Sequence, residues 1–198
     1  MAILDEIIAS LAAGERVMLA TIVAATGSTP VGASARLLVR DGGSSTTGTI
    51  GGGCAEGDVV LRARRLFETG VAEIVTLRLD GESDEALICG GAIDVLIEPL
   101  HPGDRPVFED LRLLAERGED SVLATLLAAD GSVRGRAVTS AIALHTPVRS
   151  WRPEELPFLS HPVAGLAKAV TDTLRAGEPA RMACADGTLI LEPWVAPP

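Results

Sequence analysis

The sequence predicts a mixed α/β protein made of two similar halves, with mixed sheets and flanking helices, and three observations predict it. Apolar-periodic stretches that stop at glycine alternate with continuous aliphatic runs. One run, Leu19-Ala20-Thr21-Ile22-Val23-Ala24-Ala25-Thr26-Gly27-Ser28, returns 104 residues on as Leu123-Ala124-Thr125-Leu126-Leu127-Ala128-Ala129-Asp130-Gly131-Ser132, with seven of ten positions identical. The halves also close alike, Val95-Leu96-Ile97-Glu98-Pro99-Leu100 against Leu189-Ile190-Leu191-Glu192-Pro193-Trp194. Coincidence between two Ala/Leu-rich strands is the competing explanation, and the matching endings and glycine stops weigh against it.

Taken in order, residues 3–14 and 107–118 each read as an amphipathic helix closed by a glycine C-cap, followed by a buried strand. A second helix is expected over 55–69, stopping at Gly70, and its counterpart over 163–176, stopping at Gly177. Strands are expected over 71–79 and 180–185, the latter turning tightly through Ala185-Asp186-Gly187. The segment His101-Pro102-Gly103-Asp104-Arg105-Pro106 is the natural junction. It divides a first half, 1–100, from a second, 107–198, the two sharing one sheet or one pseudo-twofold core.

Composition narrows the function. In 198 residues, 47% hydrophobic and 22% charged side chains fit a globular chain with a real core. Aromatics make up 3% and tyrosine is absent, so Ala, Val, Leu and Ile must fill that core. A net charge of −10 argues against nucleic acid, whose phosphates need clustered Lys and Arg. No apolar run approaches the roughly 20 residues of a membrane span, and the segment Met1-Ala2-Ile3-Leu4-Asp5-Glu6 lacks the basic region of a secretory signal. Three cysteines, Cys54, Cys89 and Cys184, form no paired framework, and a cytoplasmic, reducing location is expected.

The repeat supplies an internal control, because features the fold needs should occur in both halves. The first half enters its second helix through Gly48-Thr49-Ile50-Gly51-Gly52-Gly53-Cys54-Ala55-Glu56, whereas the second has Phe158-Leu159-Ser160-His161-Pro162-Val163. A serine cap and a first-turn proline suffice to start a helix there. Three consecutive glycines are entropically costly, so they read as an opening for something to approach the backbone. The first half also holds about 13 extra residues near 80–91, which carry Cys89-Gly90-Gly91.

The residue types point to chemistry. Backbone N–H groups at Gly51, Gly52 and Gly53, ahead of a helix N-terminus, favour an anion such as phosphate. The pattern is neither a Rossmann fingerprint nor a Walker loop. Cys54 in the first helical turn and Cys89 in a glycine-flanked loop suit a soft metal, a persulfide or a redox disulfide, and both are candidate metal ligands. Cys184 reads as a small buried residue. Glu56 either caps the helix start or takes part in proton transfer or ligand binding. Gly27-Ser28-Thr29-Pro30 leaves the end of the first strand, where α/β folds place ligand loops, although Gly27-Ser28 recurs as Gly131-Ser132 and so also reads as a turn. His101, His145 and His161 sit at loop ends and support no histidine-based triad.

Together, Gly27-Ser28-Thr29-Pro30, the run from Gly48 to Glu56, Cys89-Gly90-Gly91 and Val95-Leu96-Ile97-Glu98-Pro99-Leu100 resemble the XdhC/CoxI family, specifically over 21–100 and more loosely beyond. The resemblance implies a maturation factor for molybdenum hydroxylases of the xanthine dehydrogenase or aerobic carbon monoxide dehydrogenase type. Such a chaperone binds the molybdenum cofactor transiently, holds it while a cysteine desulfurase supplies its sulfido ligand, and delivers it to the hydroxylase apoenzyme. It implies cofactor binding by Ser28, Thr29, Gly51, Gly52, Gly53, Cys54, Glu56, Cys89, Gly90 and Gly91, no turnover chemistry, and a homodimer. Val31 and Ser34 replace the arginine and glycine of the family pattern, and Ala55 its common leucine. Long members continue into a C-terminal dinucleotide-fold domain, which these residues do not contain, so a short form is expected. A thiol-dependent enzyme using Cys54, or a protein-interaction module of the same system, are the alternatives.

Overall fold

The structure is a computed structural model and describes residues 2–29, 31–79, 90–140 and 156–196. In the first half, α1 (Ala2–Ala12) leads into β1 (Val17–Thr26), β2 (Arg36–Arg40) and β3 (Ser45–Gly48). Then come α2 (Gly53–Thr69), β4 (Glu73–Arg78) and β5 (Ala92–Leu100). The second half repeats the order with α3 (Arg105–Glu116), β6 (Ser121–Leu127), β7 (Val133–Ser140), α4 (Leu166–Ala176), β8 (Ala180–Cys184) and β9 (Gly187–Trp194). Two sheets result, with strand orders β3-β2-β1-β5-β4 and β7-β6-β9-β8.

All pairings between these strands are antiparallel, so the sheets are not mixed, and one isolated parallel bridge joins Ser28 to Gly90. The helix between strands does not make a parallel crossover here, because β3 and β4, which α2 joins, lie at opposite edges of the sheet. Helix and strand bounds differ from the sequence reading by a few residues. The largest shift is at α4, which starts at Leu166 behind Gly165 at φ +78, so Ser160 and Pro162 do not start it.

The repeat survives as register. Leu19 faces Glu98 across β1 and β5, and Leu123 faces Glu192 across β6 and β9. Thr21 faces Arg36 on β2, and Thr125 faces Arg136 on β7. Alternation along the strands then sorts the side chains. Met18, Ala20, Ile22, Val75, Val95 and Ile97 pack under α2 with Val59 and Ala63. The corresponding face of the second sheet packs under α4. The opposite faces join in a shared core, where Leu4, Ile7 and Leu11 of α1 meet Phe108, Leu111 and Leu114 of α3 beneath Leu19 and Leu123.

Charged groups cross that shared face in a swapped pair. Arg136 of the second half donates to Glu98 Oε2 at 2.7 Å, to the Pro99 carbonyl at 2.8 Å and to Asp104 Oδ1 at 2.8 Å. Arg36 of the first half donates to the Pro193 carbonyl at 2.8 Å, lies 3.9 Å from Glu192 Oε2 and stacks over the Trp194 ring at 3.9 Å. Each half therefore sends one arginine to the Glu-Pro of the other. Glu98 and Glu192 are fully buried, and burial raises both carboxyl groups above the ordinary range, Glu98 to about 7 despite Arg136, with Glu192 also pushing it up. Such a pair contributes little net stability against an apolar isostere, but loss of one partner strands a buried charge.

Ser34, at φ +75, is the only non-glycine residue in the left-handed region among the described residues. Its hydroxyl donates to the Gly177 carbonyl of the second half at 3.1 Å.

Two outcomes follow. Glu98's folded value of about 7 lies above its ordinary 4.5, so its contribution is complete below 4.5 and lost as pH rises through 7. Urea unfolding at stepped pH should show stability falling across that window, by up to about 1.4 kcal/mol per pH unit from this group. Glu98→Gln should remove its share of the slope. Separately, Ser34→Ala keeps the backbone strain and loses the hydrogen bond, whereas Ser34→Gly relieves the strain. Thermal unfolding should place the glycine variant about 1 kcal/mol above the alanine variant.

Candidate functional site

The entrance to α2 is built from the turn upward. Ile50 is buried against the α2 core and pins the chain. Gly51, Gly52 and Gly53 then take φ of +113, +77 and +62, a sequence of left-handed residues that side chains with a Cβ rarely adopt. The turn therefore requires these glycines for its own conformation. The second half places one left-handed glycine, Gly165, before α4, so two of the three are the first half's own. A Cβ at Gly52 or Gly53 would meet nothing within 4 Å, so the backbone there faces open space. Cys54 is exposed beside it.

The N–H groups of the turn already hold an anion, and it is internal. Glu56 Oε1 accepts from Thr49 Oγ1 at 2.6 Å, from the Gly52 N–H at 3.0 Å and from the Ile50 N–H at 3.2 Å. The Gly51 N–H goes to Thr49 Oγ1 at 3.1 Å. Of the two roles open to Glu56, this geometry is that of a cap, reaching back from the helix to the turn before it. No side chain caps the first-turn amides from Gly52, so the N–H groups of Gly53, Cys54 and Ala55 are the ones facing outward.

A second grouping forms at the other motifs. Gly91 is buried, and a Cβ there would meet the Ser28 carbonyl and, at 2.7 Å, the Thr26 carbonyl. A Cβ on Gly27 would meet Gly91 Cα at 3.0 Å. These two glycines let the ends of β1 and β5 touch backbone to backbone. Ser28 is exposed, and Thr29 Oγ1 donates to the Val31 carbonyl at 2.9 Å. Gly27, Gly90 and Gly91 border a cleft of about 340 Å³ that none of residues 51–56 lines. Cys89 lies outside the described residues. Cys184 is half-buried against the α4 core. Among the described residues no three His, Cys, Asp or Glu side chains gather as a metal site.

The structure thus separates the candidates into the α2 entrance and the Gly27–Gly91 cleft. Sequence reading missed Thr76 and Arg78 of that cleft. Their signal was the register of β4 against β5, which no local motif carries. It also missed Arg36 and Arg136, although they stand at equivalent places, 100 residues apart.

With this geometry in place, the comparisons fit the first half. The XdhC and CoxI family model matches residues 10–80, which hold β1, the turn and α2. Over that segment the chain is similar to the XdhC and CoxI family. A crystal structure described as a xanthine dehydrogenase from Bacillus halodurans superposes with a TM-score of 0.64 and 21% identity, over 96% of this chain and 52% of that one. The likeness extends the shared fold through the second half, and this chain spans about half that chain's length. No curated protein matches. The α2 entrance lies wholly inside the XdhC and CoxI segment, whereas Gly90 and Gly91 lie beyond it.

Glu56→Ala removes three hydrogen bonds from the turn and should cost about 1–2 kcal/mol in chemical denaturation. Amide exchange at Ile50 and Gly52 should accelerate, while β5 amides keep their protection.

Proposed function

We propose that this chain, similar to the XdhC and CoxI family over residues 10–80, is a maturation chaperone that takes the molybdenum cofactor as cargo for a hydroxylase of the xanthine dehydrogenase or carbon monoxide dehydrogenase type. The observation that carries the reading is the open α2 entrance inside the family segment, with bare backbone at Gly52 and Gly53 beside the exposed Cys54. The cargo's molybdenum centre supplies the redox chemistry of the enzyme that receives it.

The residues present suit such a guest in two respects. Uncapped first-turn amides at the positive end of a helix dipole attract an oxyanion. A cysteine sulfur in that turn is a soft donor suited to molybdenum or to sulfur chemistry. Glu56 sets the limit of the pocket, since it holds the Ile50 and Gly52 amides and repels a second anion from them. A guest is therefore seated on Gly53, Cys54 and Ala55, in front of Glu56. Ser28, Thr29, Gly90, Gly91 and Cys89 enter this reading only as the further cofactor-binding residues that the family resemblance implies. The partners of this role are the hydroxylase apoenzyme and a cysteine desulfurase, with the chain acting as a cytoplasmic homodimer. Glu56's bonds run to Thr49 and the backbone, and so give no support to a Cys54-dependent enzyme.

The test is incubation with molybdenum cofactor, then gel filtration and metal analysis. The wild type should elute with near-stoichiometric molybdenum. Cys54→Ala, an exposed change that leaves the fold intact, should retain several-fold less, and Gly52→Val, which closes the entrance, should retain least. A wild type that elutes free of molybdenum overturns the proposal.

A further inference from the structure

The strand register creates a second polar site at the open end of the first sheet. Thr26, Ala92 and Arg78 stand opposite one another on β1, β5 and β4 and so share a face. Ala24, Asp94 and Thr76 form the next row on that face. Because the first row has only a methyl group at its centre, a hollow of about 340 Å³ is left between Thr26 and Arg78, with Gly27, Gly90 and Thr76 on its walls. Val75 and Leu77, which alternate with Thr76 and Arg78, point the other way into the α2 core. The hollow and α2 therefore lie on opposite faces of the sheet.

The charges in this hollow run against the rest of the molecule. Asp94 is neutralised by Arg181 at 2.6 Å and by the Thr76 hydroxyl, which donates at 2.6 Å. Arg78 is exposed, and among the described residues it has no hydrogen-bond or ion-pair partner. Among the described residues this guanidinium is thus uncompensated, in a cleft of a chain whose net charge is −10. The Thr26 hydroxyl has only a long donation, 3.4 Å, to the Ala92 carbonyl and can turn toward a better acceptor.

The second half shows that the fold does not need this row. By the pairing registers, Ala24, Asp94 and Thr76 correspond to Leu127, Thr188 and Ala183, and the second half's pairing stops short of a row equivalent to Thr26, Ala92 and Arg78. The second sheet therefore forms without that row, its β8 and β9 closing through a turn at Ala185 and Asp186. The cation and its hydroxyl neighbour belong to the first half alone.

We propose that this hollow binds a phosphate monoester, with Arg78 gripping two phosphate oxygens and the Thr26 hydroxyl donating to a third. Donors converging from opposite walls suit a tetrahedral oxyanion better than a planar carboxylate, and guanidinium forks pair with phosphate bidentately. The volume leaves room for the group that bears the phosphate. Identifying that ester with the phosphate end of the pterin cargo rests on the function proposed above, whereas the anion site itself does not.

The test uses the whole chain, isotopically labelled, titrated with inorganic phosphate against chloride at matched ionic strength. Amide signals of Gly27, Gly90 and Arg78 should shift saturably. Arg78→Gln should weaken the apparent affinity about tenfold or more, Thr26→Val should weaken it less, and Arg175→Gln, a charge removed from distant α4, should match the wild type. Shifts that never saturate, an Arg78→Gln titration equal to wild type, or saturable shifts centred on Gly53 and Cys54 would each overturn the site. Molybdenum retention separates this from the cargo reading. Saturable binding in the cleft without molybdenum retention leaves the cleft and removes the cargo, and molybdenum retention with unaltered phosphate binding by Arg78→Gln does the reverse.

Discussion

Two guanidinium groups, each buried against the Glu-Pro of the opposite half, are the constraint on which the rest of this structure hangs. The apolar face shared by the two sheets is made of Leu, Ile and Val, which pack in many registers at similar energy. Arg136 against Glu98, and Arg36 over Trp194 and against Pro193, do not slide. A shift of one residue would leave a charge without a partner in a medium that penalises it severely. These crossings hold the sheets in one relative position at modest net stability. They also explain why burial raises Glu98 and Glu192 rather than leaving them as ordinary surface acids.

Both proposed sites lie where the two halves stop matching. The shared face, the four helices and the central strands are duplicated, while the glycine entrance to α2 and the Thr26–Arg78 row are not. In each place the first half spends backbone order or exposes a charge that its counterpart does without. The α2 entrance adds a second point, since Glu56 already occupies the amides of Ile50 and Gly52. Glu56 thus holds the turn in shape by itself, and the proposed guest has only the outer amides left to it. The cleft on the opposite face carries the complementary sign, with Arg78, which has no ion-pair partner among the described residues, beside an Asp94 neutralised by Arg181.

Periodicity and composition made the repeat, the helices, the shared closing strands and the glycine stops legible from the chain alone, because each depends on the steric preferences of neighbouring residues. The glycine run at Gly51–Gly53 and the place of Cys54 in the first helical turn were legible for the same reason. The same local logic misled at α4, where Gly165 replaces the expected serine cap, and it gave no hint that the turn at Gly51–Gly53 needs its glycines for its own conformation as well. What the folded chain alone decided is which charged or polar group meets which. Arg36 finds the Pro193 carbonyl 157 residues away, Arg136 finds Glu98 across 38, and Arg78 comes to face Thr26 only through the register of β4, β5 and β1. Such partners are selected by burial and strand pairing over the whole molecule, and no short stretch of sequence encodes that choice.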